Sequence, residues 1–217
     1  MPDCGSILTC LHIAIVPGDP DMYIYLHGFN SSGDSAKGRY LAQALAPCPV
    51  YTPTYSADPD TAITGLSQTL RGLPAGASPI LIGSSLGGFY AQYLAHQFRL
   101  AAILLNPALQ PWQTLQPYLG WQTNYYSGER YYFGEQEMGC LARYDILEPC
   151  ADPIPTLVLL DAGDELIDYH VAQERYADCA QVIVYPGGNH QFMHLREAVA
   201  AIQDFPANSA SIPPDLT

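Results

Sequence analysis

The chain has 217 residues and a formal net charge of −13, with 8 Lys and Arg against 21 Asp and Glu. So acidic a balance repels phosphate backbones and anionic bilayers, which argues against a nucleic-acid or membrane-surface role. A 48% share of hydrophobic residues fits one globular domain with a sizeable core, and six cysteines without C-x-x-C spacing point away from zinc and redox-pair sites.

Residues 6–16 are apolar but lack a basic flank, and no apolar run is long enough to span a bilayer, so a cytoplasmic protein is expected. Buried thiols are the expected state of the cysteines at 4, 10, 48, 140, 150 and 179, with a Cys4–Cys10 or Cys140–Cys150 bridge left open.

Residues 22–26, Met-Tyr-Ile-Tyr-Leu, predict a short buried strand running into His27-Gly28-Phe29-Asn30-Ser31-Ser32-Gly33. Apolar positions over 35–45 have helical spacing and stop before Pro47, and 49–55 predicts a short strand. Asp58-Pro59-Asp60 opens a helix running to about residue 73, its carboxylates at the favourable dipole end. The apolar run 79–82 predicts a central parallel strand buried on both faces. Strands alternating with helices indicate an α/β domain with a mostly parallel sheet.

That strand enters Gly83-Ser84-Ser85-Leu86-Gly87, a G-x-S-x-G pentapeptide, and residues 88–98 leave it with helical spacing. In a strand–turn–helix setting this pattern is a nucleophile elbow with Ser85 at its apex, and the helix N-terminus faces developing negative charge. Chance alone yields one such pentapeptide in roughly fifteen chains of this length, so the motif needs partners in the right order. Ser84 is the poorer nucleophile because Ile82 and Leu86, not glycines, stand two residues away.

The N–H of Leu86 is one candidate oxyanion donor, and that of Phe29, on the loop after the first strand, is the second. Gly28 would let this loop approach the substrate, and His27 is expected to brace it beside the substrate site rather than to transfer protons.

Residues 100–105 predict another buried strand. From 108 to 147 the chain is rich in aromatic residues without a sustained period, and it follows a strand near the sheet edge where ligands bind. One reading is an aromatic cap whose Trp112 and Trp121 contact an apolar acyl group; the other is an irregular element held by ordinary aromatic packing.

The sheet resumes at 155–160. On the following loop Asp164 is the best-placed acid, Asp168 is second and Asp161 third, and each has an alternative use as a cap for a helix over 168–177. A last strand at 181–185 is followed by Pro186-Gly187-Gly188-Asn189-His190, where His190 is the candidate general base ahead of a helix over 192–205. His194, four residues later, invites a metal reading, weakened by the absence of an H-E-x-x-H Glu and by the loop glycines. His12, His96 and His170 are read as surface or packed residues, and the tail from 207 as loosely ordered.

Serine, aspartate and histidine thus occur in the order of the α/β hydrolases. Across YLHGFNSSGDSAKG, LIGSSLGGFYAQYLA, LLNPAL, LLDAGDELIDY and GGNHQF the chain resembles the YqiA-like esterase family, small bacterial α/β hydrolases. The resemblance implies a cytoplasmic carboxylesterase or acyl-thioesterase acting on a small acyl substrate, without a cofactor or metal, with Ser85, Asp164 and His190 matching the family's triad. Residues 112–140 depart most from the pattern, and residues 1–19 form a longer N-terminal extension than the family leads one to expect. A non-catalytic binding protein on the same scaffold, and an acyltransferase with the same triad, are the competing expectations.

Overall fold

A computed structural model of the chain describes residues 22–205. The expectations for residues 1–19, for a Cys4–Cys10 bridge, for His12 and for the tail from 207 lie outside the described residues.

Six strands form one sheet: β1 (Tyr23–Leu26), β2 (Val50–Tyr51), β3 (Ile80–Ser84), β4 (Ala101–Leu105), β7 (Thr156–Asp161) and β8 (Gln181–Tyr185). Their order is β2-β1-β3-β4-β7-β8, and every neighbouring pair is parallel. Two further strands, β5 (Gly120–Thr123) and β6 (Arg130–Phe133), pair as a separate antiparallel hairpin.

Alternation along the buried strands supplies both layers of the core, because successive side chains point to opposite faces. Ile24, Leu26, Leu81, Leu104 and Val158 pack on one face with α2 (Pro59–Arg71), α3 (Leu86–Phe98) and α6 (Tyr169–Tyr176). Tyr23, Tyr25, Ile80, Ile82, Ile103 and Leu159 pack on the other with α1 (Ala36–Ala44) and α7 (Leu195–Asp204). Each fully buried aliphatic side chain contributes roughly 1.5–3 kcal/mol of transfer free energy, and no strand interior carries a competing charge. Helices α1 and α2 begin where the sequence predicts, since Ser35 caps α1 through Gly38 N–H and Asp58 caps α2 through Thr61 N–H.

Three expectations change. The strand over 49–55 shortens to the two residues of β2, at the sheet edge, where Pro49 and Pro53 lack N–H donors for the ladder. Segment 108–147 is built of short regular pieces: α4 (Pro111–Thr114), a 3₁₀ turn at Gln116–Tyr118, the β5–β6 hairpin, and α5 (Glu135–Leu141). The helix expected from 192 begins at Leu195, because Phe192 sits at φ +56° in the preceding loop.

The cysteine reading is also corrected. Cys150 is bonded to Cys179 across a separation of 29 residues, whereas Cys48 and Cys140 lie outside any disulfide, so no Cys140–Cys150 bridge exists. Such bridges are more usual in oxidising compartments than in the cytosol. Among the described residues no helix is long and apolar enough to cross a membrane.

Candidate active site

β3 delivers Ser85 to the carboxyl edge of the sheet, and the backbone reverses there at φ +55°, ψ −121°, before α3 begins at Leu86. A non-glycine residue with this backbone is strained and persists only where its surroundings over-determine it. Here they do. Ser85 N–H donates to Leu105 O, and the Ser85 carbonyl accepts from Gly88, Phe89 and Ala108 N–H. Gly83 and Gly87 are required by close approach, since a Cβ on Gly83 would lie 2.2 Å from Gly87 O and one on Gly87 would lie 2.1 Å from Leu26 O.

His190 comes from the loop after β8 and Asp164 from the loop after β7. His190 Nε2 lies 2.9 Å from Ser85 Oγ, and Nδ1 lies 3.0 and 3.1 Å from the two oxygens of Asp164. An ionised carboxylate only accepts, so Nδ1 carries the proton and Nε2 is left to accept from the serine hydroxyl. Asp164 also accepts from Leu166 and Ile167 N–H, which fixes its carboxylate independently of the histidine.

The other two acids have different partners. Asp168 is exposed, caps α6 through His170 N–H and pairs with His170 Nδ1 at 2.7 Å. Asp161 is fully buried and holds the loop that carries His190: it accepts from Asn189 N–H (3.2 Å), Met193 N–H (2.7 Å) and His194 Nδ1 (2.6 Å). Asn106 completes this bracket, accepting from Asp161 N–H and donating to Asn189 O. The metal reading of His190 with His194 falls away, since each ring serves a different aspartate and His194 stacks on Tyr185. Asp161 and Asn106 were missed as positioning residues because their partners are 28 to 83 residues away along the chain.

The two oxyanion candidates, Phe29 and Leu86, both line the cavity that holds Ser85. Leu86 N–H is the first of α3 and therefore has no intrahelical partner, and Phe29 N–H takes no acceptor among the described residues. Gly28 brings the β1 loop against Ser85, its missing Cβ position being 3.3 Å from Ser85 Cβ. His27 is buried, stacks on Tyr55 at 4.0 Å and hydrogen-bonds Gly28 O through Nδ1; burial pulls its pKa down and favours the neutral ring.

A cavity of about 550 Å³ opens beside Ser85 and His190, with Gly28, Phe29, Leu115, Tyr118, Tyr125 and Ile167 in its walls. His27, Trp112 and Trp121 are not in those walls, which corrects their assignment as substrate contacts. Trp112 packs edge-on against Phe89, while Trp121 is 66% exposed and faces Tyr132 and Arg130. The hairpin is latched to the β1 loop instead. Asn30 donates to Gln122 Oε1 and accepts from Tyr131 O–H, Asn124 donates to Ser31 O, and Tyr125 N–H donates to Asn30 O.

Residues 22–207 match the Uncharacterised protein family (UPF0227). The chain belongs to this family. Solved structures similar to this UPF0227 protein include Est1E from Butyrivibrio proteoclasticus, 19% identical over 87% of this chain and 88% of that one, with a TM-score of 0.66. Mouse alpha/beta hydrolase domain-containing protein 10 aligns at 18% identity over 87% and 90% of the two chains, with a TM-score of 0.63. A monoacylglycerol lipase from Paleococcus ferrophilus aligns at 14% identity over 86% and 95%, with a TM-score of 0.62. The UPF0227 chain therefore has the α/β-hydrolase fold, with the elbow, the acid loop and the histidine loop at one edge of its sheet.

Proposed function

We propose that this protein is a serine hydrolase that cleaves carboxylic ester or acyl-thioester bonds through an acyl-enzyme. The observation that carries this reading is the unbroken contact series Ser85 Oγ, His190 Nε2, His190 Nδ1, Asp164, at 2.9 and 3.0 Å, on a serine held in a strained backbone conformation. In the forward step Ser85 attacks the carbonyl carbon while His190 takes its proton, and Asp164 stabilises the resulting imidazolium. The N–H groups of Leu86 and Phe29 receive the oxyanion, each worth about 3–4 kcal/mol of barrier where such donors have been removed. Proton return from His190 releases the alcohol or thiol, and a water activated by the same imidazole then frees the acid.

The cavity volume falls in the range of small-molecule sites, roughly 300–1,000 Å³. The mixture of apolar walls and the β5–β6 hairpin supports a small acyl substrate with residues 108–147 acting as a lid over it. Est1E has been observed with ferulic acid bound, and a carboxylic acid is the product class that ester cleavage would release here.

Purified protein should be labelled covalently by a fluorophosphonate probe and should turn over p-nitrophenyl butyrate. Ser85→Ala is expected to abolish labelling and to lower turnover by at least about a thousandfold, with an unchanged circular dichroism spectrum. Labelling that persists in Ser85→Ala, or none in the parent protein, contradicts the reading.

A further inference from the structure

Lys37 is the chain's only lysine, and the proposed chemistry leaves it without a role. It lies in the first turn of α1 and lines the same cavity as Ser85. Its Nζ donates to Ser84 Oγ at 2.6 Å, and Ser84 is the chain neighbour of the nucleophile, about 3.8 Å away between Cα atoms. The hydroxyl-bearing side chains of Tyr25 and Ser35 line the same cavity.

An ammonium has three donors, and among the described residues Ser84 is the one acceptor Lys37 finds. Among the described residues no carboxylate pairs with it, although Arg99, Arg143 and Arg175 each hold an aspartate. Asp161 and Asp164 attract it through space, but their oxygens are engaged by His194 and His190. Burial pulls the Lys37 pKa down to about 8 against that attraction. Lys37 is part-buried in the cavity wall, and an anionic group entering the cavity would give this partly desolvated cation the direct counter-ion it lacks. A single ammonium among neutral hydroxyls matches a monoanion better than a phosphate dianion, which asks for more donors and charge.

We propose that the substrate carries a carboxylate, on its acyl or its leaving-group half, and that Lys37 binds it in the cavity it shares with Ser85. This rests on the serine-hydrolase reading, and it makes Lys37 a specificity residue rather than a member of the reacting set. Elsewhere the net charge of −13 repels such a substrate, so the preference is local to this pocket.

The test compares charged and neutral partners of similar size at low ionic strength, where the attraction is least screened. One pair places the charge on the acyl half: the p-nitrophenyl half-ester of glutaric acid against p-nitrophenyl valerate. The other places it on the leaving group: the butyrate ester of 4-hydroxybenzoate against phenyl butyrate. The readout is the ratio of kcat/KM, charged over neutral, in the parent protein, Lys37→Met and Lys37→Arg.

In at least one pair the ratio should fall about tenfold or more in Lys37→Met, the worth of one charge-assisted hydrogen bond, and largely recover in Lys37→Arg. Loss of a merely structural brace on Ser84 would lower both members together and leave the ratio in place. Ratios within about twofold of the parent in both pairs overturn the proposal while leaving the hydrolase reading intact. If the parent protein cleaves none of these esters, the hydrolase reading fails instead, and the carboxylate site is read directly by amine acylation at the single lysine. Protection of the Lys37 peptide by glutarate but not by neutral glutaramide, seen by mass spectrometry, sustains the site; equal labelling overturns it.

Discussion

Removing the Asp161 carboxylate should destabilise the fold through the histidine loop, without touching Asp164. In Asp161→Ala three donors lose their acceptor: Asn189 N–H, Met193 N–H and His194 Nδ1. An orphaned buried donor costs about 1–3 kcal/mol, and these three are only part-buried, so the low end applies and the sum is about 3–5 kcal/mol. That is a large share of a typical stability of about 5–15 kcal/mol. Asp161→Asn keeps the volume and one acceptor oxygen but turns an amide toward a donor, and should cost about half as much. Urea unfolding followed by tryptophan fluorescence measures this as a lower midpoint at constant slope. The loop should also lose its hold on His190, slowing fluorophosphonate labelling of Ser85. An Asp161→Ala protein whose stability lies within about 1 kcal/mol of the parent would refute the bracket, because it would mean that solvent already satisfies those donors. Gly188→Ala attacks the same bracket from the other side, since its Cβ would lie 2.0 Å from Asp161 Oδ2 at a φ of +75°; a loss of about 1–3 kcal/mol from the backbone alone is expected.

Asp164→Asn should lower kcat on p-nitrophenyl butyrate by as much as about 10⁴-fold, because the amide favours the wrong imidazole tautomer, with little change in urea midpoint. Reduction of Cys150–Cys179 should lower stability by about 3–4 kcal/mol, the chain-entropy value for a loop of this length; an unchanged melting temperature with dithiothreitol would contradict it. Lys37 carries a pH signature: its pKa of about 8 lies below the unfolded value of 10.5, so between those values the unfolded chain binds more protons and stability rises with pH. The difference in unfolding free energy between the parent and Lys37→Met should therefore shift in the parent's favour from pH 8 to 10.5; a flat difference would show that the lysine is solvated as in water.

The parts of the fold legible in the sequence were those written in local periodicity. The buried strands 22–26, 79–82, 100–105 and 155–160 read as apolar runs because both faces of a central parallel strand are covered. The elbow was legible for the same reason, since two glycines, a serine and their flanking strand and helix are contiguous. The β5–β6 hairpin was not, because Trp121 and Tyr132 point outward at 66% and 59% exposure and so erase the polar–apolar alternation by which a half-buried strand is recognised. Short β2 was over-extended because its termination depends on lying at the sheet edge, a property of its neighbours.

By itself the sequence determined the strand–helix alternation, the place of Ser85 in the turn between strand and helix, and the loops that carry Asp164 and His190, since each is encoded within a dozen contiguous residues. Only the tertiary structure distinguished three aspartates, because Asp161, Asp164 and Asp168 lie close together between β7 and α6 and differ in what lies opposite: His194 and a loop backbone, His190, or His170. It likewise decided that the two tryptophans stand outside the cavity, that Cys150 meets Cys179, and that the sole lysine lines the pocket from a helix and donates to Ser84, 47 positions on. Those outcomes depend on which surfaces meet when the sheet closes, and distances across a sheet edge are not encoded in spacing along the chain.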